Sequence, residues 1–323
     1  MAAKASHRVV IRGLGHYLPK QVVTNDMLIP SLASQGHAVD EAVLGRISVT
    51  SRRWSDEDET VEVMAARAVG MALEHAGMRA DSIDLLVLSN WTSRRHVPEL
   101  APRIATKVGS TKALAFDVCG ACTGFVLGVM TAVSYLQAGM CNRAVVVSSD
   151  QFSRGVKPGS RALMVVGDAA GAVVLERSDP SDQTTSGIID TCLHSEGELA
   201  DLITSCAPEP WIRSKVELAE YAPDRTARAA EELLQRNGLH VGDLDWMIPH
   251  PGTDAIRERV RERMGIAAER IAQNFTTCGN TGSASIPIVL SDLHHRGVIR
   301  RGNLILAPAV GAGFYHGAIL LRL

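Results

Sequence analysis

The chain has 323 residues, 46% hydrophobic, 21% charged and 4% aromatic, with a formal charge of −2. Such a length and apolar content suit two domains, or one duplicated unit, around a sizeable core. Near-neutral charge and few aromatics argue against a nucleic-acid partner, and no apolar run reaches the length of a membrane span.

The first residues run directly into a strand-like segment with no signal region. Six cysteines in a chain of this size do not form a disulfide framework, so a cytoplasmic, reducing setting is expected. Periodicity then predicts strands at "HRVVIRGLG", "DLLVLSN", "ALAFDVC", "RAVVVSSD", "AAGAVVLER", "DWMIPH", "NLILAPA" and "GAILLRL". Helices are predicted at Val61–Ala76, Gly124–Ala138, Thr226–Asn237, Asp254–Met264 and Ser285–Arg296. Strands alternating with amphipathic helices imply α/β units whose sheets are covered on both faces.

The two halves resemble each other. Residues 65–89 lie ungapped over 226–250, with Ala66/Ala227, Arg67/Arg228, Ala68/Ala229, Gly77/Gly238 and Asp84/Asp245 identical. A second match lays "AFDVCGACTG" (115–124) over "NFTTCGNTGS" (274–283). Residues 1–178 and 179–323 are therefore expected to be duplicated α/β halves. The second half carries a loop-rich insertion punctuated by Pro208, Pro210 and Pro223.

The stretch "DVCGACTGF" (117–125) raises three readings: a redox couple, half a zinc site, or one nucleophile beside a bystander. A single CxxC, with only the adjacent pair His294–His295 to accompany it, is poor material for zinc, and no metal is expected. Cys119 aligns with Cys278 and reads as a packing residue kept by both copies, whereas Cys122 aligns with Thr281 and is the asymmetric thiol. Cys122 precedes a helix, whose N-terminal N–H groups and dipole are expected to lower its pKa and to cradle an oxyanion. At matched loops of the second half stand His250, ending "DWMIPH", and Asn280 in "CGNTGSAS". Each alone is as readily structural. Together, at the C-terminal ends of predicted strands, they suggest one constellation facing Cys122.

The blocks "DVCGACTGF", "GDAAGAVVLE", "IPHPGTDAI", "CGNTGSASIPIVL" and "GAGFYHGAILLRL" resemble, in order, the signature blocks of β-ketoacyl-acyl-carrier-protein synthase III. The resemblance runs from "VVIRGLG" to the last residue and weakens at 29–51 and 195–224. It implies a thiolase-like, five-layered αβαβα fold made of two duplicated halves, and a homodimer. By position, Cys122 matches the acyl-accepting nucleophile, and His250 and Asn280 match the decarboxylation pair. Gly313 matches the glycine whose N–H joins that of Cys122 in the oxyanion hole. Arg46 and Arg161 fall on coenzyme A contacts, although Ala42 replaces a tryptophan of the family and the spacing after Arg161 is one residue short. The implied reaction is a decarboxylating Claisen condensation of an acyl-coenzyme A primer with malonyl-acyl-carrier protein, through an acyl-Cys122 intermediate. No cofactor is implied.

Departures from the family pattern concern the primer. Val97 stands where an aromatic residue of the partner subunit commonly bounds the acyl pocket, and Arg94, Arg95 and His96 beside it suit a carboxylate-ended acyl group; a solvated loop is the plainer reading. On "DAIRERVRERMG", Arg257 and Arg261 are candidates for docking the acidic carrier protein, against an ordinary charged surface helix. The competing functions are simple acyl transfer to a hydroxyl or amine, against which an intact Asn280 argues, and a non-catalytic partner subunit, against which Cys122 argues.

Overall fold

The structure is a computed structural model that describes residues 8–37, 39, 44–93, 97–179, 186–206 and 209–323. Its first half holds strands β1 (Val9–Tyr17), β2 (Gln21–Thr24), β3 (Ser51–Trp54), β4 (Leu85–Ser89), β5 (Leu114–Val118), β6 (Arg143–Gln151) and β7 (Asp168–Arg177). Helices α1 (Asn25–Ser34), α2 (Val61–Ala76), α3 (Ala101–Val108) and α4 (Gly124–Gln137) lie between them. The second half holds β8 (Gly187–Ser195), β9 (Ile203–Cys206), β10 (Glu209–Ser214), β11 (Trp246–Met247), β12 (Leu304–Gly311) and β13 (Tyr315–Arg322). Its helices are α5 (Leu218–Arg236), α6 (Asp254–Met264), α7 (Phe275–Cys278) and α8 (Ser285–His295).

Hydrogen bonding orders the main strands β5-β4-β6-β7-β1, then passes through the single pair Val9–Ile188 into β8-β13-β12-β11. In the first half β4 is parallel to β5 and β6, and β7 is antiparallel to β6 and β1. The second half repeats this: β11 is parallel to β12, and β13 is antiparallel to β12 and β8. The counterpart of β4 is shortened to the two residues of β11, and that of β5 to a lone parallel bridge between Met247 and Ile271.

Strand alternation builds the layers. Leu86 and Leu88 of β4 face outward to α2 and α3, while Leu85 and Val87 face inward to α4. Likewise Ile305 and Ala307 of β12 join the central cluster with α4 and α8, while Leu304 and Leu306 are covered by α5 and α6. Helices, sheet, helices, sheet, helices are thus the five expected layers. The central helices start in close contact: a Cβ on Gly124 would fall 1.8 Å from Ser89 Oγ and 3.3 Å from Ser283 Cβ.

Three details differ from the sequence reading. The insertion is not loop alone; it forms a 3₁₀ turn (Gly197–Leu202) and the β9–β10 hairpin. Helix α5 begins at Leu218, eight residues before the predicted start, and runs through Pro223. Proline has no N–H to serve the carbonyl four residues back, and Arg259 of α6 donates to that carbonyl, Ala219 O, at 2.6 Å. Finally, the register at the nucleophile shifts. The 3₁₀ turns Ala121–Thr123 and Gly282–Ala284, and the helix starts Gly124 and Ser285, correspond position by position, which sets Ser283 rather than Thr281 opposite Cys122. Cys119 and Cys278 are not equivalent packing residues either: Cys119 is exposed and Cys278 buried.

Candidate active site

Cys122 and His250, from loops at strand ends, and Asn280, from the turn after α7, line one cavity of about 210 Å³. Its wall is otherwise mainly apolar, and includes Phe152, Val166, Ile256 and Val310 from the duplicated core and Ile203 and Ile212 from the β9–β10 hairpin. The insertion therefore builds part of the site, a role that its proline-rich sequence did not signal. Behind Phe152, Trp91 packs edge-on with ring centroids 4.9 Å apart, its indole N–H buried without a partner among the described residues.

Cys122 is aimed by its backbone. Ala121 has a φ of 45°, the left-handed region that a residue with a side chain rarely adopts, at the bend just before the thiol. Gly311 crosses so closely that a Cβ there would meet the Cys122 and Thr123 nitrogens at 3.0 Å. The turn after β12 thus lies against the nucleophile's own amide. Ala312 of that turn lines the cavity; Gly313, expected to supply the second oxyanion N–H, is not among the lining residues.

The expected low thiol pKa is overturned. Burial, reinforced by the carboxylate of Asp150, pushes Cys122 up to about 12. Asp150 is fully buried at the end of β6 and accepts from Ser283 N at 2.9 Å, Ser283 Oγ at 2.6 Å and Trp91 N at 3.2 Å. Burial raises its own pKa as well. It ties the two halves together just behind the nucleophile.

His250 is 4% exposed, and burial lowers it to about 4, so the imidazole is neutral at pH 7. Its backbone N–H donates to Pro308 O at 2.9 Å, fixing the loop to β12. Nδ1 is buried with no hydrogen-bond partner among the described residues, so no contact with them pins the tautomer. Asn280 is held on all sides: Nδ2 donates to Gly252 O at 3.0 Å, Oδ1 accepts from Gly282 N at 2.9 Å, and its main chain bonds Val165 O and Gly167 N. One Nδ2 hydrogen is left for the cavity.

The other expected residues are dispersed. Arg161 is exposed and opens the 3₁₀ turn Arg161–Met164, whose Ala162 lines the cavity. Arg46 is exposed on a loop whose Leu44 and Ile47 pack with Met164 of that same turn. Ser48 binds Asp254 through Oγ at 2.5 Å and N at 2.8 Å, docking this loop beside the cavity's Thr253. Val97 is 89% exposed and does not line its own chain's cavity. Arg94, Arg95, His96 and Ala42 lie outside the described residues. The arginines of α6 are already engaged. Arg257 pairs with Asp254 at 2.7 Å and stacks over Phe275, and Arg261 pairs with Glu258 through Nε at 2.9 Å. Two basic side chains so neutralised offer an acidic partner less than their sequence spacing suggested.

Two family models match the chain. One, described as 3-oxoacyl-[acyl-carrier-protein] synthase III, spans residues 116–197; the other, described as the C-terminal part of the same synthase, spans 234–323. Among curated relatives, a β-ketoacyl-[acyl-carrier-protein] synthase III of Cereibacter sphaeroides is 35% identical over 98% of this chain and 99% of its own. A solved 3-oxoacyl-[acyl-carrier-protein] synthase III of Aquifex aeolicus is 32% identical with a TM-score of 0.91, covering 98% of this chain and all of its own. A solved priming β-ketosynthase of a polyketide biosynthetic pathway is 27% identical with a TM-score of 0.89, covering 100% and 99%.

Proposed function

The chain belongs to the 3-oxoacyl-[acyl-carrier-protein] synthase III family, and from that premise we propose how its cavity condenses an acyl-coenzyme A primer with malonyl-acyl-carrier protein. The enzyme is an acyltransferase, and the observation that carries the reading is the convergence of Cys122, His250 and Asn280 on one apolar cavity.

Because the Cys122 thiol is protonated at neutral pH, its attack on the primer thioester must shed a proton as the carbon–sulfur bond forms. Neutral His250 takes that proton and returns it to the departing coenzyme A thiolate, leaving acyl-Cys122 and a neutral imidazole. The oxyanion of this step is held by the Cys122 N–H and the N–H of Ala312, the residue of the 311–314 turn that lines the cavity. In the second half-reaction His250 and Asn280 donate to the malonyl thioester oxygen. The enolate forms as carbon dioxide leaves, its carbon attacks acyl-Cys122, and the carbon–sulfur bond breaks to release the 3-oxoacyl product and a Cys122 thiolate that takes a proton from solvent to restore the thiol. An imidazole with no bond fixing Nδ1 can serve both as acceptor in the first half and as donor in the second.

Arg46 and Arg161, both exposed and carried by segments that pack together at Met164, are proposed to meet coenzyme A at the mouth. The working unit is proposed to be a cytoplasmic homodimer paired along β5, supported by that strand's exposed Leu114 and half-buried Phe116 and Val118 at a sheet edge, and by the exposure of Val97.

The test is product formation from an acyl-coenzyme A and malonyl-acyl-carrier protein. His250→Ala and Asn280→Ala should each lower 3-oxoacyl product and carbon dioxide release by roughly 10²- to 10³-fold, the loss typical of one oxyanion donor. Asn280→Ala should still load the primer. Unimpaired condensation in Asn280→Ala, or acyl transfer to a hydroxyl or amine without carbon dioxide release, sinks this reading.

A further inference from the structure

A second cluster of reactive side chains lies on the outer face of the second sheet, away from the catalytic cavity. Cys192 and His194 are alternate residues of β8 and so project to one side of it. Helix α5 crosses above them, bringing Ala229 and Glu232, one helical turn apart, onto the same spot. His194 Nε2 lies 2.7 Å from Glu232 Oε2, and Cys192 Sγ contacts Ala229 O at 3.5 Å. One donor atom each from Cys192, His194 and Glu232 fall within 4.8 Å of one another, and this is the one such group of metal-binding side chains among the described residues. None of the three lines the catalytic cavity.

We propose that Cys192, His194 and Glu232 bind one zinc-class divalent ion that pins β8 to α5. The donor set is the argument. A thiolate, an imidazole and a carboxylate are the three ligand types that zinc favours, and their two negative charges balance a divalent ion. Tetrahedral zinc bonds set neighbouring donors roughly 3.3–3.8 Å apart, so the 2.7 Å His194–Glu232 pair opens by about half an ångström while the wider separations, within 4.8 Å, close. His194 and Glu232, with side chains 46% and 33% exposed, have the freedom to do so, and their exposure leaves a fourth position for water. The surroundings already orient the ligands. Glu232 Oε1 accepts from Arg236 at 3.1 Å, Arg236 is held in turn by Asp190, and the His316 ring lies 5.2 Å from that of His194. On binding, the Cys192 thiol proton passes to solvent, and the His194–Glu232 hydrogen bond is exchanged for two bonds to the ion. Sequence reading looked for zinc at the CxxC and passed over Cys-x-His because its third ligand is 38 residues away.

The test is cobalt(II) titration of the metal-free full-length protein, followed by zinc competition. One equivalent of cobalt should give a thiolate-to-cobalt band in the near ultraviolet, which zinc abolishes. Cys192→Ser should remove the band while Cys119→Ser and Cys122→Ser keep it. His194→Ala, a substitution at an exposed position that leaves folding intact, should weaken binding at least tenfold and cancel any rise in melting temperature given by zinc. Absence of the thiolate band with cobalt in excess, or an unchanged cobalt affinity in His194→Ala, overturns the proposal. Loss of condensation activity has no bearing on it, since the readout is the metal alone.

Discussion

His250 is neutral because it is buried, and that has a consequence for stability. With its pKa lowered from 6.5 to about 4, the folded chain refuses a proton that the unfolded chain accepts below pH 6.5. The stabilisation from a neutral His250 is therefore complete above pH 6.5 and is lost as pH falls towards 4, at about 1.4 kcal/mol per pH unit. Burial also lowers His16, His75 and His294, so the whole protein should lose stability more steeply than one group dictates. The contribution of His250 is the difference between wild type and His250→Gln. Urea unfolding between pH 4.5 and 7 should show a flatter dependence in the variant; equal slopes would contradict the assignment. Sequence reading singled out Cys122 because it precedes a helix, His250 because it ends a predicted strand, and Asn280 because it stands at the turn matched to the cysteine turn. It misjudged the thiol because what raises it, burial and the Asp150 carboxylate, comes from packing and from a residue 28 positions away. Nor could it see that a 3₁₀ turn separates Cys122 from the start of α4.

At the scale of elements, helices with an uninterrupted apolar stripe were legible to within a residue: α2, α4, α6 and α8 all match their predicted spans closely. Where tertiary contacts repair a local fault, the sequence misled. Pro223 reads as a stop, yet α5 continues because Arg259 satisfies the carbonyl that the proline leaves. The exposed edge is the element with most to test. Strand β5 ends the sheet with Leu114 at 54% exposure, whereas its counterpart in the second half has shrunk to one bridge. An apolar open edge on one half only favours pairing of two copies there. Leu114→Lys should shift the solution mass, read by light scattering after size exclusion, from dimer towards monomer without unfolding the chain. A monomeric wild type would contradict the pairing.

For the molecule as a whole, duplication is what makes the site. A constant offset between the halves brings the cysteine turn of one against the His and Asn loops of the other, and the apolar wall between them comes from both halves and from the β9–β10 hairpin. The offset was readable from the 65–89 and 226–250 match, but the pairing of Cys122 needed three dimensions, since a two-residue slip at the turn hides Ser283 as its counterpart. On the proposed mechanism Cys122 carries the acyl group between two substrates. Intact-mass spectrometry after incubation with an acyl-coenzyme A tests it most directly. Wild type should gain one acyl mass, lost again when malonyl-acyl-carrier protein is added, and Cys122→Ala should gain none. An adduct that forms equally in Cys122→Ala, or one that malonyl-acyl-carrier protein leaves in place, would contradict the account.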